Sequence, residues 1–145
     1  WTGACLMFPA VSFHGFGILS HFDTQVMAVG YSLFVFSLTL PFDIRDLKDD
    51  KGSELPTIPS SIGIKRTKIL SIAGFIISAA IFFFLYLHHM IGLPAMLAFI
   101  SACLISSFTA AFSSSNRNEL FYSFWLDGCL LLPILFLHLF RHFNL

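Results

Sequence analysis

The stretch TQVMAVGYSLFVFSLTLPFDIRDLKDD, residues 24–50, joins an uncharged apolar run to a dense group of carboxylates. Its first part, residues 24–42, contains no Asp, Glu, Lys or Arg and is about as long as a helix must be to cross a bilayer. Asp43, Asp46 and Asp50 then follow at steps of three and four residues, so a helix that continues past the apolar run would carry them on one face. The stretch predicts a membrane-spanning helix whose acidic end can hold a divalent cation.

The rest of the chain is also unusually apolar. Of its 145 residues 57% are hydrophobic and 11% are charged, and the mean hydropathy is +0.83. Residues 69–87 and 91–112 lack charged side chains, and residues 120–140 contain a single acid, so each run can span a membrane. We therefore predict an all-α, polytopic transmembrane helical bundle of four complete spans preceded by a partial one at residues 1–22. Residues 1–145 then form a single membrane domain.

The basic residues predict which side of the membrane the charged segment faces. Six of the eight Lys and Arg side chains lie between the first two complete spans, as Arg45, Lys48, Lys51, Lys65, Arg66 and Lys68. Cytoplasmic loops retain Lys and Arg, so residues 43–66 are predicted to form a cytoplasmic aspartate-rich loop of a multi-pass protein in the cell (inner) membrane. The net charge is zero, which gives no support to a nucleic-acid partner.

Two functions can explain this charged segment. In the simpler one its acids balance its bases, and the loop only fixes the topology of a non-enzymatic membrane assembly partner or of a transporter fragment. In the other it binds a cation. Three features favour the second: the first acid follows the apolar run directly, the spacing is DxxDxxxD, and TIP at residues 57–59 is followed by Gly63 four residues later.

The elements DIRDLKDD (residues 43–50) and TIPSSIG (residues 57–63) together resemble a known family, the UbiA-type intramembrane prenyltransferase superfamily. Its members carry a second aspartate motif followed by a TLPxxxG-like segment at the cytoplasmic ends of membrane helices. The resemblance implies that the chain is the C-terminal half of a nine-helix fold. It also implies a magnesium-dependent enzyme that transfers a prenyl group from a prenyl diphosphate to an aromatic or other lipophilic acceptor.

The same resemblance implies a role for each charged residue of the motif. Magnesium ligation falls to three carboxylates, those of Asp43, Asp46 and Asp50. Diphosphate binding falls to three cations, those of Arg45, Lys48 and Lys51. Among these six, the catalytic residues would be Asp46, Asp50 and Arg45. The first motif of the family, NDxxDxxxD, is absent from these 145 residues. We therefore expect the missing N-terminal half of the same protein to supply it, and the isolated fragment to be inactive.

One further acid, Asp127, interrupts the last apolar run. A carboxylate that faces lipid costs at least ~2.5 kcal/mol on insertion scales, so this side chain is predicted to turn inward and either to find a partner or to become protonated. It then contributes either to a polar cavity near the acceptor or to a structural hydrogen bond near the cytoplasmic end of its helix.

Overall fold

The computed structural model describes residues 22–47, 57–114 and 121–142. Within these ranges the chain forms helices and the turns between them, without strands, which confirms the all-α prediction for this part of the protein. The helices are α1 (Phe22–Asp46), α2 (Ile58–Ile62), α3 (Ile64–Leu87), α4 (Leu93–Ala111), a π-helical segment (Phe121–Leu126) and α5 (Asp127–His142). The partial span predicted at residues 1–22 lies outside the described residues, apart from its last position.

Three of these helices are long and apolar enough to cross a membrane: Thr24–Asp46 within α1, Ile64–Leu87 and Leu93–Ala111. Their outer surfaces are apolar as well, with large fractions of Ile76 (62%), Leu104 (67%) and Phe108 (67%) exposed. A soluble protein rarely exposes so much apolar surface, whereas lipid covers it without cost. The chain is therefore a helical membrane protein.

The predicted fourth span, residues 120–140, has a different form. Residues 121–142 are helical, but the helix is divided into a six-residue π-helical segment and the sixteen residues of α5. Sixteen α-helical residues rise about 24 Å, which is less than the thickness of a bilayer core. This segment is therefore not among the three helices that are long enough by themselves.

Helices α1 and α3 pack closely and run antiparallel. Ser78 Oγ donates to Gly30 O (2.6 Å) and Ser71 Oγ donates to Ser37 O (2.7 Å), so residue numbers fall along one helix as they rise along the other. A Cβ added at Gly74 would overlap the Ser37 side chain. Small residues let the two backbones approach, which is the usual way in which helices associate in lipid.

A proline inside α1 explains one of these bonds. Pro41 is buried within the helix and has no N–H, so the carbonyl of Ser37, four residues earlier, loses its usual donor. Ser71 Oγ of the neighbouring helix donates to that carbonyl instead. A buried carbonyl that loses its helical partner must find another in a membrane, and α3 supplies it.

The remaining helices complete an antiparallel order in which α4 packs on α3 and α5 packs on α4. Aromatic rings fill the centre: Phe34 lies 5.5 Å from Phe75 and 5.3 Å from Phe99, and Phe82 stacks on Phe99 at 3.5 Å between centroids. The bundle consequently has two ends. We call "charged end" the one formed by the C-terminus of α1, the N-terminus of α3, the C-terminus of α4 and the π-helical segment, and "apolar end" the opposite one.

Candidate functional site

The charged end begins with the last turn of α1. This helix does not stop at the end of its apolar run but continues to Asp46, so Asp43 and Asp46 stand three residues apart on one helical face, as the spacing predicts. Arg45 lies in the same turn, where a cation is favourable beside the partly negative C-terminus of a helix. The two carboxylates and the guanidinium are thus held by regular helix rather than by a loop.

The predicted aspartate-rich loop, residues 43–66, is accordingly helical at both of its ends. Its first residues belong to α1, and residues 58–62 and 64–66 belong to α2 and α3. The difference has a local cause, because Pro59 at the second position of α2 suits a helix start and Gly63 has a φ of 86° that glycine adopts without strain. The middle of the segment, residues 48–56, lies outside the described residues.

Arg45 and Asp46 form a two-point ion pair. Arg45 Nε donates to Asp46 Oδ1 at 2.6 Å, and Nη2 donates to Asp46 Oδ2 at 3.2 Å. Both side chains are partly exposed, at 34% and 43%. The structure therefore brings together two of the predicted catalytic residues, with the guanidinium fork matched to the carboxylate. Solvent and salt weaken a pair at this level of exposure, so an incoming anion or cation can compete for either partner.

The guanidinium of Arg45 also contacts two aromatic rings, those of Phe42 and Tyr122. The Arg45 Cζ atom lies 5.4 Å from the centroid of the Phe42 ring and 5.6 Å from that of Tyr122, and the two rings are 6.0 Å apart. These are cation–π distances. Tyr122 comes from the π-helical segment, nearly eighty residues later in the chain, so the last helix contributes directly to the site.

Tyr122 is itself fixed by hydrogen bonds to the segment that follows α4. Its hydroxyl donates to Ser114 O at 2.8 Å and accepts from Ser114 N–H at 2.9 Å, and its side chain is fully buried. Sequence reasoning missed this residue. A tyrosine near the start of an apolar run is a common feature at membrane interfaces, and nothing in its spacing to the aspartate motif points to Arg45.

The TIPSSIG segment lies beside this cluster. Residues 58–62 form one helical turn, α2, which packs against both α1 and α3 and buries Pro59. Ser60 Oγ accepts from the Thr57 N–H at 2.9 Å and closes the start of the turn. After Gly63, α3 begins with the exposed cations Lys65 and Arg66, which add positive charge to this end of the bundle.

The remaining members of the predicted site fall outside the described residues. Lys48, Lys51 and Asp50 belong to residues 48–56, and so does Asp49. Within the ranges that the structure describes, no group of three or more His, Cys, Asp or Glu side chains is close enough together to hold a metal. Asp43 and Asp46 fit magnesium in chemistry, since hard carboxylate oxygens are its ligands, but they supply two of the three predicted ligands.

Asp127 was predicted to turn inward, but within the described part of the bundle it faces outward. Its side chain is exposed, whereas Cys129 in the same helix is buried against α4, where its Sγ lies 3.6 Å from Thr109 Oγ1. Two residues along an α-helix correspond to a rotation of about 200°, so burying Cys129 directs Asp127 away from the bundle. It does not line the cavity between the helices either.

That cavity lies toward the apolar end. It has a volume of about 300 Å³ and is lined by α1, α3, α4 and α5, with Met27, Tyr31, Phe99 and Leu137 among its lining residues. Its walls are almost entirely apolar. Tyr31 precedes Arg45 by fourteen residues on α1, so the cavity is about 21 Å from the charged cluster along the helix axis.

The fold and this cluster define a class, a helical membrane protein with a charged site at one end of its bundle. Comparison with known proteins adds no narrower identity, since no family model, curated protein or solved structure matches the chain. The function must therefore be argued from the residues of the charged end.

Proposed function

We propose that this chain is the C-terminal part of an integral membrane prenyltransferase that acts on a prenyl diphosphate. The observation that carries the proposal is the position of Asp43, Arg45 and Asp46 in the last turn of an apolar helix, beside the TIPSSIG turn. Such a position places charged groups for a diphosphate at the membrane surface and keeps the prenyl chain of the substrate in the hydrocarbon.

The topology of the proposal follows the same logic. Residues 121–142 form the fourth span through the combined length of the π-helical segment and α5, and the whole corresponds to the second half of a nine-helix fold. The charged end faces the cytoplasm of the cell (inner) membrane, because Arg45, Lys65, Arg66 and Lys68 all gather there. Residues preceding this chain in a longer protein would carry the first aspartate motif.

In the proposed reaction the bond between the allylic carbon and the diphosphate oxygen breaks, and both electrons leave with the diphosphate. A nucleophilic atom of the acceptor then forms a bond to the allylic cation and loses a proton. Magnesium, when bound, neutralises the leaving diphosphate. Asp43, Asp46 and Asp50 would supply oxygen ligands for it, and Arg45, with Lys48 and Lys51, would bind the diphosphate oxygens.

The Arg45–Asp46 pair has a defined part in this scheme. An ion pair that already satisfies both groups keeps the guanidinium and the carboxylate in place before the substrate arrives. With magnesium bound, Asp46 would serve as one of its oxygen ligands, and Arg45 would be available to bind the diphosphate oxygens.

The test uses the longer protein that carries both aspartate motifs, incubated with polyprenyl diphosphates, candidate acceptors and Mg²⁺. Diphosphate release should fall by about a hundredfold or more in Asp46→Ala and in Asp50→Ala, since each removes a metal ligand. Asp49→Ala is the matched control, because the DxxDxxxD spacing omits it. Full activity in both Asp46→Ala and Asp50→Ala would rule out the proposed site.

The second candidate is a non-enzymatic role, as an assembly partner or part of a transporter. It is favoured by the same ion pair, since an acid and a base that satisfy each other on one helix turn also serve as a plain topological anchor. The two candidates differ in Asp46→Asn. This variant abolishes diphosphate release in the enzyme, and it leaves the amount of inserted protein unchanged in either case.

A further inference from the structure

Tyr122 differs from the other aromatic residues of the described bundle in being held at both its ring and its hydroxyl. The hydroxyl makes two hydrogen bonds to the backbone of Ser114, one as donor (2.8 Å) and one as acceptor (2.9 Å). The ring lies against Phe42 and against the guanidinium of Arg45. The residue is fully buried, so a change in the angle of its ring would require movement of its neighbours.

The position of the Arg45 guanidinium depends on contacts with fixed side chains such as Tyr122. A long arginine side chain at a membrane surface has many rotamers and tends to extend into water. In this structure the guanidinium instead lies against two rings at 5.4 and 5.6 Å and is 34% exposed. Phe42 lies only three residues before Arg45 on α1 and moves with it, whereas Tyr122 is bonded to the backbone of Ser114, in the segment that follows α4. Tyr122 is therefore a contact that ties Arg45 to a part of the described bundle beyond α1.

We infer that Tyr122 is a positioning residue for Arg45, which it holds at the charged end in the place where the guanidinium can receive the oxygens of a diphosphate. The inference rests on the proposed function for the nature of the anion. The position of Arg45 itself rests on the contacts described above and can be measured without any reaction. A π-helical segment at this point fits such a role, since π-helical turns are frequent at functional sites.

The first experiment measures how accessible Arg45 is in the 145-residue chain in detergent. Phenylglyoxal modifies exposed guanidinium groups, and mass spectrometry gives the rate at each arginine, with the exposed Arg66 and Arg141 as internal references. Tyr122→Leu should raise the rate at Arg45 about fivefold because it removes one cation–π face. Tyr122→Phe keeps the ring but loses both bonds to Ser114, and it should raise the rate about twofold.

Phe75→Leu is the matched control for lost aromatic volume. Phe75 is also fully buried and touches another ring, Phe34, but it lies in the centre of the bundle. Its substitution should leave the rate at Arg45 unchanged. Wild-type rates at Arg45 in both Tyr122 variants, or an equal rise in Phe75→Leu, would overturn the inference. If Tyr122→Leu does not give a monodisperse protein, Tyr122→Phe decides the question.

The second experiment measures kinetics in the longer protein with both aspartate motifs. Tyr122→Leu should raise KM for the prenyl diphosphate about tenfold with little change in kcat, because binding of the anion is weakened while the metal ligands stay in place. An unchanged KM would contradict the inference. If the wild-type protein releases no diphosphate, the proposed function fails by itself, and the modification rates still decide whether Tyr122 positions Arg45.

Discussion

The two ends of the bundle are held together by different kinds of contact. At the charged end, polar groups reach from one helix to the next: Lys68 Nζ donates to Ala111 O at 3.0 Å, and Tyr122 bonds to Ser114. Toward the apolar end, the Ser78–Gly30 bond is accompanied by stacked rings such as Phe82 and Phe99, and a cavity of about 300 Å³ remains between the helices. Directional bonds fix the positions of side chains, whereas apolar packing in lipid tolerates unfilled space. A site that must place charges precisely is therefore expected at the charged end.

Among the substitutions that test this difference between the two ends, the largest loss of stability should come from removing an aromatic ring next to the cavity. Phe99 is 4% exposed and contacts Tyr31, Phe34 and Phe82. Phe99→Ala should lower the free energy of unfolding in mixed micelles by about 3 kcal/mol, because it enlarges the existing cavity and removes ring contacts. The control is Phe83→Ala, whose side chain is 47% exposed on the adjoining helix and should change stability little. Equal losses in both variants would mean that the ring cluster does not hold this end.

A smaller loss of stability is expected from a substitution at the interface between α1 and α3, which extends toward both ends of the bundle. Gly74→Ala should destabilise the protein by about 2 kcal/mol, since the new Cβ overlaps the Ser37 side chain and pushes the helices apart. Gly128→Ala is the matched control. No atom lies within 4 Å of a Cβ added there, so it should be neutral or slightly stabilising in a helix. Thermal unfolding of both variants checks the difference, and equal stability would show that the interface is not tightly packed.

Ser71 Oγ donates to the Ser37 carbonyl in place of the N–H that Pro41 lacks. The effects of substitutions at Ser71 and Pro41 on stability should therefore be coupled. Ser71→Ala should cost about 1 kcal/mol because the carbonyl of Ser37 is left without a donor in a buried place. In a Pro41→Ala background the helix can supply its own N–H, and the same substitution should cost close to nothing. A double-mutant cycle measures this coupling. Additive losses would show that Ser71 does not compensate for the proline.

The smallest effect is expected from a single polar link of the charged end. Lys68→Met removes the bond from the ammonium group to the carbonyl of Ala111, the last residue of α4, and should cost about 0.5 kcal/mol, as is usual for a cation at a helix C-terminus. High salt should reduce the difference between Lys68→Met and the wild type, since this bond lies near solvent. Lys65→Met, in the same turn and exposed, is the control. A salt-independent difference would assign the effect to packing of the lysine stem.

The sequence predicted the helices better than their contacts. Runs without charged residues predicted the positions of α1, α3 and α4. A helix that crosses a bilayer needs apolar side chains along its whole length, and such a run is visible in the sequence. The starting point of α3 was predicted too late. The sequence predicted a loop at Lys65, Arg66 and Lys68. In the structure these residues lie on the first turns of α3, where charged side chains can reach water or a carbonyl.

Only those parts of the site that consist of residues close together in the sequence were predictable. The three-residue step from Asp43 to Asp46 gives their shared face, and Arg45 follows from the same turn. Tyr122 was not predictable, because its contact with Arg45 depends on how α4 and α5 fold back. Asp127 illustrates the converse. An acid in an apolar run suggests a buried partner, but the face it occupies is decided by which neighbour, here Cys129, packs against α4.

The most direct test of the charged end as a diphosphate site is the magnesium dependence of diphosphate release in a longer protein that joins this chain to the proposed first aspartate motif. We expect release from a polyprenyl diphosphate only when Mg²⁺ is present, with a loss of about a hundredfold in Asp43→Asn, which keeps the size of the side chain but removes a charged ligand. Release that is independent of Mg²⁺ and unchanged in Asp43→Asn would contradict the account.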